Sequence, residues 1–277
     1  MAKEGDTMRI TKMHGLGNDF IVIEEKTGDV AELAKKLCRR RLDVGADGLL
    51  LVEASKTADV RMRIINADGS EAEMCGNGIR CFARYVYDKG IVRKTKMQIE
   101  TLAGVVSPEL VMQGAQVVAV RVDMGRPSFE PEQIPALMQD PMDFTVEVNG
   151  NRLSAACVLM GVPHTVIFVE DIDSVPVEQW GPQIEKNRLF PRGTNVNFVQ
   201  VTGRNSARMV TWERGAGRTL ACGTGATASG VIMHRKGLAD AKIDLFVPAG
   251  VLHIENAQDG RAFMTGAAEY VFTGEAG

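Results

Sequence analysis

Apolar positions recur along the chain at helical spacing in three places and at strand spacing through much of the rest. In residues 31–41, Leu33 and Leu37 lie beside Cys38 and Leu42, which predicts a helix with Cys38 as a packing residue. In residues 77–89, Ile79, Phe82, Ala83 and Val86 fall on one face of a second helix. Residues 224–236 carry Ala226, Ala228, Val231, Ile232 and Met233 with almost no polar face, so a third helix is predicted to be buried on all sides. Gly90 and Gly237 supply matching C-terminal stops. A first strand is predicted at about Met8, after a charged extension (residues 1–7) with no apolar h-region. Cys157, in the apolar run 155–160, reads as core.

The pattern repeats. Residues 73–90 read EMCGNGIRCFARYVYDKG and residues 220–237 read LACGTGATASGVIMHRKG. At an offset of 147 residues, Cys75, Gly76, Gly78, Lys89 and Gly90 meet Cys222, Gly223, Gly225, Lys236 and Gly237. The same offset sets Arg61-Met62 on Arg208-Met209, Asn66 on Glu213 and Ala67 on Arg214, and a shift of one residue sets Ala103-Gly104-Val105 on Ala249-Gly250-Val251. A collinear series of this length points to duplication. Each half reads as strands, a glycine-rich turn bearing a cysteine, a helix and further strands, which predicts a sheet curled around the helix. The expected fold class is α/β of α+β type with two pseudo-symmetric domains. Turn residues at Gly125-Arg126-Pro127 mark the boundary, giving domains of 1–124 plus 267–277 and of 125–266.

Composition narrows the function. A 277-residue chain with 45% hydrophobic and 24% charged residues is an ordinary globular one. Its net charge of -3 gives no ground for a nucleic-acid partner, and no run approaches the ~20 apolar residues that span a bilayer. Five scattered cysteines (Cys38, Cys75, Cys81, Cys157, Cys222) fit a reducing, cytoplasmic setting better than a disulfide scaffold. Cys75 and Cys81 are not at a zinc-knuckle spacing, and none of His14, His164, His234 and His253 pairs with another, so no metal is expected. Residues 215–224 look superficially like a phosphate loop but lack its lysine.

Cys75 and Cys222 each precede a Gly-x-Gly and then a helix. That places each sulfur beside the unsatisfied N–H groups of a first helical turn, where partial positive charge lowers a thiol pKa from about 8.5 toward neutrality. The same groups bind a carboxylate, and glycine lets the backbone approach it. Two such sites facing each other would clamp one amino-acid carboxylate between two thiols. One thiolate would remove the α-proton, the donors would stabilise the charge that builds on the carboxylate, and the opposite thiol would return a proton on the other face. Two core cysteines at helix starts in a duplicated fold would fit the same spacing.

Residues 13–20 (MHGLGNDF), 66–69 (NADG), 74–81 (MCGNGIRC), 161–164 (GVPH), 195–198 (NVNF), 213–217 (ERGAG) and 221–225 (ACGTG) resemble the diaminopimelate epimerase family, in its order and across nearly the whole chain. The resemblance implies two small sheet barrels, each around a central helix, and conversion of LL- to meso-diaminopimelate for lysine and peptidoglycan precursors, without cofactor or metal. It implies a small-molecule substrate, a homodimer, and Cys75 and Cys222 as acid and base. By the same match Gly76, Asn77, Gly223 and Thr224 hold the reacting carboxylate, while Asn18, Asn66, Asn195, Glu213 and Arg214 grip the substrate. Arg214 suits a carboxylate through its two-pronged donor geometry; a surface ion pair with Glu213 is its plainer reading, weakened by Gly215 and Gly217, which suggest close approach to a ligand. His164 and Glu213 are candidates to tune the thiols. Arg80 and Cys81 read as helix packing. Val162 and Gly48 stand where the family often has asparagine and glutamine; Val162 can neither donate nor accept a hydrogen bond, so one contact at the distal end of the substrate is expected to be missing or replaced by water. A two-thiol racemase of histidine or proline type and a non-catalytic amino-acid-binding module are the alternatives.

Overall fold

The computed structural model describes residues 7–24 and 28–276; the rest of the expected N-terminal extension, residues 1–6, lies outside them. The chain divides into two compact units, Met1–Val122 with Gly266–Gly277 and Asp123–Thr265.

In the first unit β1 (Met8–Gly15) turns into β2 (Asn18–Ile23) through Leu16 and Gly17, both at positive φ (55° and 85°), the backbone of a two-residue type I′ hairpin. Helix α1 (Val30–Leu37) leads to β3 (Gly48–Glu53), parallel to β2. Next come β4 (Val60–Asn66), the short β5 (Glu71–Ala72), α2 (Gly76–Asp88), β6 (Ile99–Thr101), β7 (Gly104–Val106), and β8 (Glu109–Gln113), which forms a hairpin with β9 (Gln116–Gly125), the strand in which the first unit passes into the second after Val122. The C-terminal strand β19 (Glu269–Ala276) pairs with β1, so the sheet runs β19-β1-β2-β3-β4-β6-β7 with β5 on β4.

Strand alternation sorts this sheet's apolar residues onto two faces. Ile21, Ile23, Leu49 and Leu51 form a core with Ala34 and Leu37 of α1. Phe20 and Leu50 point the other way, to the first turn of α2 at Gly78. Ile79, Phe82, Ala83 and Val86 of α2 are all fully buried. Helix α1 is shorter than its sequence pattern predicts, and Leu42 is 76% exposed instead of buried. The chain leaves the helix at Cys38, passes a positive-φ Arg41 and folds back, so that Gly45 and Ala46 N–H groups satisfy the Leu37 and Cys38 carbonyls.

The second unit repeats this plan. It comprises β10 (Phe144–Val148), β11 (Asn151–Met160), β12 (Val162–Phe168), α3 (Val177–Glu185), β13 (Asn195–Gly203), β14 (Ser206–Glu213), β15 (Gly217–Thr219), α4 (Gly223–Arg235), β16 (Lys242–Val247), β17 (Gly250–Asn256) and β18 (Ala262–Gly266). Its strands run β10-β11-β12-β13-β14-β16-β17-β18 with β15 on β14. The parallel pairs β2/β3 and β4/β6 recur as β12/β13 and β14/β16. The Ala-Gly-Val segments form equivalent hairpin turns, at Gly104 and Gly250. Ile167, Val196 and Phe198 pack toward α3, while α4 lies on the other face, buried from Gly225 through Met233. Thr227 and Ser229 survive there because their hydroxyls bond the Gly223 and Gly225 carbonyls one turn back (2.8 Å each). Gly230 admits Ile254 of β17, into which a Cβ would press at 2.8 Å.

Candidate active site

Each unit presents its motif cysteine in the same setting. Cys75 is the N-cap of α2 in extended backbone (φ -141°, ψ 123°), and its Sγ accepts from the Gly78 N–H at 3.4 Å. Cys222 is the N-cap of α4 (φ -121°, ψ 112°). Cysteine is an unusual cap, and its use twice at equivalent positions puts a sulfur at each helix start.

Around Cys75 the first unit gathers two asparagines. Its Sγ–H points at Asn18 Oδ1 (3.7 Å), which also accepts from Asn77 Nδ2 (3.2 Å). Asn18 is held in turn by Asp47, whose Oδ2 accepts from Asn18 Nδ2 (2.6 Å) and the Asp19 N–H (3.0 Å). Arg40 bridges Asp19 and Asp47, and Lys12 pairs with Asp19, holding the Asp19 carboxyl below its usual range against the opposing effect of burial. This support is not apparent in the sequence. Gly76 is the first residue of α2; the buried Arg80 bonds its carbonyl and that of Ala267, tying the helix start to the returning chain. Asn66 ends β4 and donates to Ser70 Oγ (2.9 Å), so its side chain is engaged in its own turn. Gly48 pairs with Asn66, and a Cβ there would stand 2.7 Å from the Ile65 carbonyl. Backbone approach therefore requires the glycine as the strands now lie.

The second unit surrounds Cys222 with acceptors. The thiol donates to Glu213 Oε2 at 3.1 Å and lies 3.5 Å from Thr224 Oγ1. Thr219, diagonal to Glu213 across the β14–β15 hairpin, donates to Glu213 Oε1 at 2.6 Å. Burial and the Glu213 carboxylate push this thiol well above the ordinary cysteine range, with the Thr224 and Gly225 bonds acting against them. The helix start predicts a lowered value for Cys222; complete burial beside an anion overrides it. Gly223 opens α4.

Asn195 starts β13, donating to the Pro163 carbonyl (3.1 Å) and accepting from the Arg214 N–H (2.8 Å). The Arg214 guanidinium donates to the Arg192 carbonyl, and among the described residues no ion pair joins it to Glu213. Gly215 and Gly217 both have φ of 80°, a backbone conformation that the hairpin turn needs and glycine adopts readily. His164 is wholly buried on β12, with its Nδ1 3.3 Å from Asn197 Nδ2. Val162 is partly exposed where β12 begins. Cys38, Cys81 and Cys157 are core residues whose thiols burial raises to about 11, 12 and 12.

Two helix-capping cysteines in equivalent halves narrow the family, and comparison with known proteins decides it. The family profile of diaminopimelate epimerase matches residues 10–130 and 156–271. The chain belongs to the diaminopimelate epimerase family. A relative of that name from Caldanaerobacter subterraneus subsp. tengcongensis is 51% identical over 271 residues, covering 97% of this chain and 99% of the relative. Another, from Desulfitobacterium hafniense, is 52% identical over 275 residues, covering 96% and 97%. A solved structure of a probable proline racemase from Agrobacterium radiobacter matches with a TM-score of 0.73 over 98% of this chain and 93% of that one. Its 15% identity makes that a likeness of fold. Diaminopimelate epimerase family membership thus rests on sequence, and the two-unit fold is shared with racemases. No helix among the described residues is long and apolar enough to cross a membrane.

Proposed function

We propose that the chain is an isomerase that converts LL-diaminopimelate to meso-diaminopimelate, serving lysine and peptidoglycan-precursor synthesis in the cytoplasm. Cys75 and Cys222 act as a two-base pair on one α-carbon. The thiolate on one side takes the α-proton and becomes a thiol. The electron pair left behind spreads into the carboxylate, and the thiol on the other side delivers its proton and becomes a thiolate. Atoms and charge balance, and the stereocentre is inverted. Because the two sulfurs supply base and acid, the step calls for neither pyridoxal phosphate nor metal.

The observation that carries this reading is the double use of cysteine as the N-cap of a buried helix, at equivalent positions of two repeated units. The helix-start N–H groups of Gly76, Asn77, Gly223 and Thr224 would receive the reacting carboxylate. Asn18, Asn66, Asn195, Glu213 and Arg214 would hold the remaining polar groups, and Glu213 also sets the proton on Cys222. His164 is the further candidate for tuning the thiols. A raised thiol pKa at Cys222 suits a proton donor, since a thiol that keeps its proton at neutral pH is ready to give it. We further propose a homodimer. Its support is the outermost strand β19, where Tyr270, Val271 and Phe272 are consecutively exposed, the kind of open apolar edge that chains cover.

Incubation with LL-diaminopimelate in heavy water, after exhaustive chelation and without pyridoxal phosphate, tests the reaction. The expected result is deuterium at Cα together with interconversion of the LL and meso forms. Absence of exchange, or an absolute need for either additive, would contradict it.

A further inference from the structure

We infer that Asn197 is a positioning residue that holds His164 as the neutral tautomer protonated on Nε2, making it a fixed hydrogen-bond donor and not a base. The inference rests on the proposed reaction, in which His164 is a tuning residue, and concerns how the second unit prepares that side chain.

The geometry fixes the proton by elimination. Asn197 is fully buried on β13 and points to the α4 side of the sheet, as does His164 on the parallel strand β12. Its Nδ2 lies 3.3 Å from the Thr165 carbonyl oxygen. A carbonyl can only accept, so the nitrogen of the amide must face it; the reverse orientation would set two acceptors against each other. On the other side, Asn197 Oδ1 accepts from the Thr211 hydroxyl at 3.1 Å. The second hydrogen of Nδ2 is then directed at His164 Nδ1, 3.3 Å away. A donor facing Nδ1 requires a lone pair there, which leaves the ring proton on Nε2.

The surroundings keep that arrangement. The imidazole is removed from solvent and feels the Arg214 cation, both of which disfavour imidazolium. The Thr165 carbonyl and the Thr211 hydroxyl hold the Asn197 amide in this orientation, and its Oδ1 lies where a Cβ at Gly225, three residues beyond Cys222 on α4, would collide with it. His164 Nε2 is buried and has no hydrogen-bond partner among the described residues. A buried donor left open is unfavourable, and an anionic acceptor would satisfy it. Carboxylate and thiolate are the acceptors that the proposed reaction brings. His164 would thus stabilise negative charge without competing for the α-proton.

Nitrogen-15 NMR of the full-length protein labelled at histidine reads the tautomer directly, with His164→Gln assigning the signal. The expected spectrum shows a neutral ring protonated on Nε2 across about pH 6 to 9, well above the depressed pKa. A proton on Nδ1, or an imidazolium in this range, overturns the inference. Asn197→Asp replaces the donor by an acceptor, so the proton is expected to move to Nδ1 or a second proton to join it. The accompanying kcat is expected to fall by about 10-fold or more, with an altered pH profile. An unmoved proton or unchanged kcat in that variant counts against Asn197. If Asn197→Asp does not fold, the wild-type spectrum still decides. Nε2 protonation in a protein that fails to epimerise diaminopimelate would leave the tautomer assignment standing and remove the proposed reaction.

Discussion

His164 lies wholly out of solvent, and burial with Arg214 nearby lowers its pKa to about 3. In the unfolded chain the same side chain titrates near 6.5. Between those values the unfolded state binds a proton that the native state does not, so stability rises with pH and is lost as pH falls. The contribution is up to about 1.4 kcal/mol per pH unit. Urea denaturation between about pH 5 and 8 is expected to show the wild type losing more stability below about pH 6.5 than His164→Gln; parallel curves would contradict the assignment. Cys222 invites a matching test. The Glu213 carboxylate helps to hold its proton in place, so Glu213→Gln is expected to lower the thiol pKa. The pH profile of iodoacetamide labelling at Cys222, read by peptide mass spectrometry, shifts to lower pH if that is right and stays put or rises if it is wrong.

At the scale of elements, α2 and α4 carry equivalent glycines with unequal surroundings. A Cβ at Gly78 meets only ordinary contacts at 3.4 Å or more, whereas at Gly225 it collides with Asn197. Gly78→Ala is therefore expected to be neutral or to stabilise by up to about 1 kcal/mol through reduced chain entropy. Gly225→Ala is expected to cost about 1–3 kcal/mol by overpacking. Thermal or urea unfolding of the two variants checks the contrast, and equal effects would contradict it. Both helices, their cysteine caps and their glycine stops were legible in the sequence because the spacing of Ile79, Phe82 and Val86, and the unbroken apolar run of α4, are local signals. The end of α1 was not: Leu42 fits the helical pattern, but long-range closure by Gly45 and Ala46 ends the helix first. Asp47, Asn197 and Thr219 were equally hidden as site residues. Their roles depend on hydrogen bonds made across strands, although Asn197 lies inside a motif that could have flagged it.

At the scale of the whole molecule, the 147-residue offset read from the sequence becomes two sheets of matching strand order, each with one buried helix. The low identity between the halves hides how far the match extends: the parallel pairs and hairpins recur although most side chains differ. The exposed edge at β19 makes oligomeric state testable. Sedimentation is expected to give twice the chain mass for the wild type and the single-chain mass for Phe272→Lys; a monomeric wild type would exclude the homodimer. The central claim is that each unit contributes one thiol to one face of the same α-carbon. With Cys75→Ala or Cys222→Ala, epimerisation is expected to fall by about 10²–10⁴-fold or more, while the surviving thiol still serves its own face. The most direct measurement is α-proton exchange of LL- and meso-diaminopimelate by each variant. The account predicts opposite stereochemical preferences in the two variants. Near-normal epimerisation by either, or the same preference in both, would contradict it.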